Sequence, residues 1–325
     1  GRQVFDSRGN PTVEAEVFLN NKTKASAIVP SGASTGAFEA YELRDNNNNY
    51  FLGKSVLNAV KNINTIISKN LKNVDSSKQK KIDQILLNLD GTENKNKLGA
   101  NALLAVSLAV SKAEATSQKK ELYQHLGKKF LLPKPLMNII NGGAHADNNL
   151  RIQEFMIRPD SAKNFMDAIE KCFLVIQNLK KILQSKKLST NVGDEGGFAP
   201  LINSNEEALD LVVQAIEKSK LKPGKDINIC LDVAANELIN KNGEYSLNSS
   251  NFISVDESIN YYKNLVSKYP IKSIEDPFAE DDWTAWSKLT KEIGKSVQIV
   301  GDDLFVTNVT RLKKGIKEKS ANSIL

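Results

Sequence analysis

The sequence predicts an α+β domain over residues 1–127 followed by an α/β barrel over residues 134–325, and three observations carry that expectation. Up to about Gly127, strands precede helices with no strand–helix–strand alternation, the mark of an α+β unit. Past Pro135 the pattern changes, and strand-like runs alternate with amphipathic helices. Within that part three apolar runs each end in a carboxylate: NICLDVA at Asp232, KSIEDPF at Glu275 and Asp276, and QIVGDDL at Asp302 and Asp303.

In chain order, Thr12–Leu19 alternates Val13, Ala15, Val17 and Leu19 with Thr12, Glu14, Glu16 and Phe18, which predicts a half-buried antiparallel strand. Ala25–Pro30 supplies a second apolar stretch. The small-residue run from Ser31 to Gly36 predicts a loop rich in free amides and hydroxyls, suited to holding a phosphate or closing over a metal, or simply to connecting two elements. Ser55–Leu71 and Ser77–Leu89 carry apolar residues three and four apart and predict amphipathic helices. Asn101–Ala115 is apolar nearly all round, so it is expected to pack on two sides. KKFLLPKP then reads as a linker.

In the second part, PLMNIINGGAHADNN is a strand running into a glycine-rich turn that carries His145 and Asp147. RIQEFMIRP is a strand with Gln153 and Glu154 embedded among apolar neighbours, and a carboxylate in such a place needs a partner or a raised pKa. Phe165–Leu183 is a long amphipathic helix, TNVGDEGGFAP places Asp194 and Glu195 between glycines, and Glu206–Lys218 is another helix.

The acid-tipped strands then follow, with Glu275 lying 43 residues after Asp232 and Asp302 lying 27 residues after Glu275. Spacings of that size leave room for a helix and its loops. In a parallel barrel all strand C-termini open on one face, so the three acids converge. Converging carboxylates repel one another, and a hard divalent cation relieves that repulsion; oxygen-only ligands favour Mg²⁺ over zinc. The competing explanation is that each acid merely caps the helix after its strand.

Composition narrows the function classes. Hydrophobic content of 40% supports a real core, and no run approaches the ~20 apolar residues of a membrane span. The opening GRQVFDSRGN lacks a signal-peptide core. Net charge is +6, yet only 6 of the 44 basic residues are arginine, and the lysines are scattered among asparagines. That pattern speaks against specific nucleic-acid binding, which favours arginine forks with interleaved aromatics. Cys172 and Cys230 lack metal or redox spacing and read as reduced, buried thiols of a cytoplasmic protein.

Taken together, the segments resemble enolase. The matching stretches, in family order, are DSRGNPTVE, VPSGASTG, LGANA, NGGAHADNN, QEFMI, NVGDEGGFAP, LDVA, SIEDPFAEDDW and GDDLFVTN, and they cover the chain end to end. The choice of NGGAHADNN and DVAA resembles bacterial members more than animal ones. The resemblance implies a TIM-like, enolase-type barrel with partly antiparallel early strands behind an N-terminal capping domain. It implies reversible dehydration of 2-phosphoglycerate to phosphoenolpyruvate with two Mg²⁺ ions per site, in glycolysis and gluconeogenesis. It also implies a homodimer or octamer and a cytoplasmic location, with some relatives also found at cell surfaces.

By the same resemblance Asp232, Glu275 and Asp302 hold the first ion, and Ser34 joins the second when substrate is bound; Glu275, Asp302, Ser34 and Glu154 also contact substrate. Glu195 is the general acid with Glu154 beside it, and burial among carboxylates is expected to raise the pKa of Glu195; His145 and Gln153 are substrate contacts. The family's catalytic lysine falls just past Leu325 and the first residue lies a few positions inside the usual start, so the chain is expected to be an incomplete barrel, trimmed at both ends and inactive as written. Two alternatives stand beside this: a related barrel acid-sugar dehydratase, and a non-catalytic binding protein derived from an enolase.

Overall fold

The structure is a computed structural model and describes residues 1–32, 36–248 and 251–325. Ser34, in the small-residue loop, lies outside the described residues. The chain forms two compact units, one of residues 1–32 and 38–131, the other of residues 132–325 joined by Gly36 and Ala37.

In the first unit β1 (Arg2–Phe5), β2 (Pro11–Phe18) and β3 (Lys24–Val29) form an antiparallel sheet in that order. Helices α1 (Leu57–Asn62) and α2 (Ser68–Leu71) are joined by a π-helical turn at Ile63–Ile67, where periodicity predicted one uninterrupted helix. Then come α3 (Gln79–Asp90), α4 (Ala100–Ser117) and α5 (Leu122–Leu126). Ala102, Ala105 and Ala109 are fully buried on α4, and their small side chains let the helix lie close on β2 and β3. One expectation needs correction. The first five residues of β2 are buried on both faces, with Glu14 held by the Arg2 guanidinium at 2.6 Å, so only the strand's far end is half-buried. The helix α4 packs against β2 and β3 and against α3 and α5, and leaves Leu104 and Leu108 exposed. Gly99 starts α4 at φ +95, where a Cβ would come within 2.5 Å of the Leu43 side chain; only glycine fits.

The second unit holds one mixed six-stranded sheet in sequence order: β4 (Met137–Asn141), β5 (Glu154–Arg158), β6 (Asn228–Asp232), β7 (Ile271–Glu275), β8 (Gln298–Gly301) and β9 (Ser323–Ile324). β4, β5 and β6 pair antiparallel, and the pairs from β6 onward are parallel. Helices α6 (Phe165–Ser185), α7 (Asn205–Lys218), α8 (Val255–Lys268), α9 (Trp283–Ile293) and α10 (Val309–Glu318) fall between the strands. Alternation along each strand sends Phe155, Ile157, Leu231, Ile274 and Ile299 into one apolar core with Leu179, Val212, Ile216, Tyr262 and Trp286 from the helices. The neighbouring positions Glu154, Asp232 and Glu275 therefore face the other way.

Those helices are capped by residues other than the strand-tip acids. Ser254 closes a capping box with Glu257 on α8, Asp282 accepts from Ala285 N–H on α9, and Asn308 accepts from Thr310 and Arg311 N–H on α10. Helix capping thus does not account for Asp232, Glu275 or Asp302.

The core makes a direct prediction. Leu179, fully buried on α6, replaced by alanine is expected to cost about 2–5 kcal/mol in urea unfolding. Lys180→Ala, on the exposed side of the same helix, is expected to stay within about 0.5 kcal/mol of the parent.

Candidate active site

The strand ends define the site. β6 and β7 run parallel with Asp232 in register with Glu275, so both final carboxylates reach the same rim. β5 runs the other way, and its first residue, Glu154, stands opposite Asp232. A strand inverted between two neighbours thereby delivers its N-terminal acid to the rim where the parallel strands deliver their C-terminal ones. Gln153 immediately precedes β5, where a strand was expected, and its Nε2 donates to Asp232 Oδ2 at 2.9 Å. The other Asp232 oxygen accepts from Ala234 N–H at 3.0 Å.

Three acidic groups form along this rim, each with ligand atoms within 4.8 Å of one another: His145 with Glu154 and Glu195; Asp232 with Glu275 and Asp276; and Asp276 with Asp302 and Asp303. The expected trio Asp232, Glu275 and Asp302 is thus spread over two groups that share Asp276. Asp303 also accepts from Asn236 Nδ2 at 3.0 Å, and Asn236 Oδ1 in turn accepts from Glu280 N–H at 2.9 Å. Glu280 accepts from Ala37 N–H. Asp276 and Asp303 were expected at the strand ends but with no role of their own, and Asn236 with none; the doubled acids in EDP and GDD were the available signal for the first two.

His145 is buried in the short 3₁₀ turn Gly143–His145, with Nδ1 lying 3.3 Å from Glu154 Oε1. Glu195 reaches the pair from the glycine loop, which is drawn close by Asp194 N–H donating to His145 O at 3.0 Å. Gly193 permits this approach, since a Cβ there would stand 2.4 Å from that same carbonyl. Burial was expected at Glu195, but Glu195 is exposed and Glu154 is the desolvated member.

The electrostatics follow from burial without compensation. Desolvation, then the charge of Glu195, pushes Glu154 up to about 7. Desolvation also raises Asp232 and Glu275, reinforced by Glu154 at Asp232 and by Asp232, Asp276 and Asp302 at Glu275. Burial lifts Asp276 well above the carboxylate range and raises Asp302 and Asp303. Among the described residues no lysine or arginine pairs with any of these six acids. An all-carboxylate donor set, close-packed and lacking a protein cation, has the chemistry a hard divalent ion requires. The two thiols are chemically quiet: burial pushes Cys172 up to about 11 and Cys230 up to about 12.

An α+β unit ahead of a mixed, barrel-type sheet, with carboxylates gathered at the strand ends beside a histidine and a half-buried glutamate, defines the class of barrel proteins with an acidic rim that could hold a metal ion. Comparison with known proteins narrows the class. Residues 1–126 match the family described as "Enolase, N-terminal domain" and residues 129–325 match "Enolase, C-terminal TIM barrel domain". The enolase of Pelagibacter ubique (strain HTCC1062) is 63% identical over 326 residues, spanning 100% of this chain and 77% of that protein. The chain belongs to the enolase family, the hydro-lyases of glycolysis, and has their function. Among the described residues no helix is long and apolar enough to cross a membrane.

The raised carboxylates link stability to pH. A group whose folded pKa lies above its unfolded value contributes stability that is complete below the unfolded value, about pH 4, and lost as pH rises through the folded one. For Glu154 that loss sets in above its ordinary value of 4.5 and is nearly complete by about 7. The metal-free protein is therefore expected to lose thermal stability from about pH 5 to about pH 8, and Mg²⁺ to raise Tm more at the upper end than at the lower. Melting curves at both pH values, with and without Mg²⁺, check this.

Proposed function

We propose that the rim is the metal-binding and proton-donating part of an enolase centre that dehydrates 2-phosphoglycerate to phosphoenolpyruvate. Asp232, Glu275 and Asp302 would hold one Mg²⁺, with Glu275 and Asp302 also on the substrate side, and Ser34 would contribute to a second. The observation that supports this most strongly is the convergence of buried and half-buried acids from successive strands with no lysine or arginine among the described residues between them. When bound, the ions would offset the charge that accumulates on the substrate carboxylate as its neighbouring carbon loses a proton.

The chain's own residues perform the remaining tasks. Glu195 donates the proton that lets the hydroxyl leave as water, and its exposed place on the loop keeps it open to an arriving ligand. Glu154, titrating near about 7, is poised to exchange a proton with Glu195 or with substrate. His145 and Gln153 shape the substrate side, and Gln153 also fixes the rotamer of Asp232 through its amide. The residues assigned here supply no base for the carbon-bound proton. We place the boundary between the capping domain, residues 1–127, and the barrel domain, residues 134–325, in the intervening segment. A homodimeric, cytoplasmic protein is the assembly and location this reading favours.

Glu195→Gln in the natural gene product tests the central assignment. Dehydration is expected to fall about 10²- to 10⁴-fold while Mg²⁺ affinity, measured by calorimetry, stays near the parent value. Parent-like turnover would remove Glu195 from the mechanism.

A further inference from the structure

Asp276 belongs to both carboxylate groups over which Asp232, Glu275 and Asp302 are spread. It follows Glu275 directly, is 4% exposed, and adopts φ +40 immediately before Pro277, a conformation that non-glycine residues avoid. Its N–H donates to Val300 O on β8 at 3.0 Å, and its carbonyl accepts from Ala235 N–H, just beyond β6, at 3.1 Å. Its carboxylate then receives two amides of the neighbouring strand end. Oδ1 accepts from Asp302 N–H at 3.1 Å and Oδ2 from Asp303 N–H at 2.9 Å. One residue thus braces the ends of β6, β7 and β8, the strands that present Asp232, Glu275 and Asp302.

We propose that Asp276 is a positioning residue for the metal site: it fixes where Asp302 stands relative to Glu275 and Asp232, without itself occupying a coordination position. This rests on Asp232, Glu275 and Asp302 being the ligands. The direction of the hydrogen bonds distinguishes Asp276. Among the described residues the carboxylate oxygens of Glu275 and Asp302 accept no hydrogen bond, and Asp232 accepts one from the Gln153 side chain and one from Ala234 N–H two residues on, whereas both oxygens of Asp276 accept backbone amides of another strand's end. β8 ends at Gly301, so the sheet supplies no carbonyl for those two amides; Asp276 ties them to the end of β7, while Phe305 and Val306 N–H on Asp302 O and the Asn236 amide on Asp303 hold the turn that follows. A carboxylate is needed because only it offers two acceptors and no donor; an asparagine there would turn an N–H₂ against one of the amides. Residues that orient ligands in this way commonly change metal affinity by about 10- to 100-fold when altered.

The test titrates Mn²⁺ into the metal-stripped full protein without substrate and counts the waters on bound Mn²⁺ by proton relaxation. Asp276→Asn suits the positive φ and is expected to weaken Mn²⁺ about 10- to 100-fold with the water count unchanged. Asp302→Asn, run alongside, is expected to weaken Mn²⁺ and add a water. If Asp276→Asn does not fold, Asp276→Gly, which accepts the same backbone conformation, takes its place with the same expectation. Parent affinity in the folded Asp276 variant, even with a lowered Tm, would mean a merely structural role and overturn the proposal. An added water in that variant would make Asp276 a ligand and overturn it equally. Unchanged Mn²⁺ binding in Asp302→Asn would instead overturn the ligand assignment beneath it.

Discussion

Mutual repulsion among buried carboxylates is the constraint around which the barrel unit is arranged. Asp232, Glu275, Asp276, Asp302 and Asp303 share one rim with no protein cation among the described residues beside them. Such an arrangement opposes folding unless protons or a metal ion neutralise it. The apolar packing of Ile274, Leu231 and Ile299 against α8 and α9 holds the acids there against that repulsion. The stability of the core therefore maintains a site that is itself unfavourable without its ion.

Strand direction gives the rim its second half. Had β5 run parallel to β6, Glu154 would sit at the opposite end of the barrel from Asp232. The antiparallel pairing instead sets the two in register, and the loop of Gly193–Gly197 brings Glu195 to the same place. Desolvation then falls on Glu154 rather than on Glu195. An acid titrating near about 7 beside an exposed one gives two carboxyl groups with different tasks, set by environment alone.

The elements themselves were largely legible in the sequence. Periodicity located α3, α6 and α7 and the three acid-tipped strands, because each is amphipathic or uniformly apolar over its full length. It failed where packing overrode pattern. β2 alternates cleanly yet buries Thr12 and Glu14, since Glu14 gains an Arg2 partner. The turn at Ile63–Ile67 leaves no mark in a run of helix-compatible residues.

For the site, the sequence by itself determined which residues bear the chemistry: acids at strand ends, a histidine and a glutamate among glycines. Side-chain type and strand boundaries are local properties, readable from local pattern. Tertiary structure alone decided which of them meet. Strand polarity placed Glu154 opposite Asp232, and two backbone amides 26 and 27 residues further along the chain gave Asp276 its bracing contacts. Contacts of that kind depend on how distant segments pair, and the pairing of distant segments is written in no single stretch of the chain.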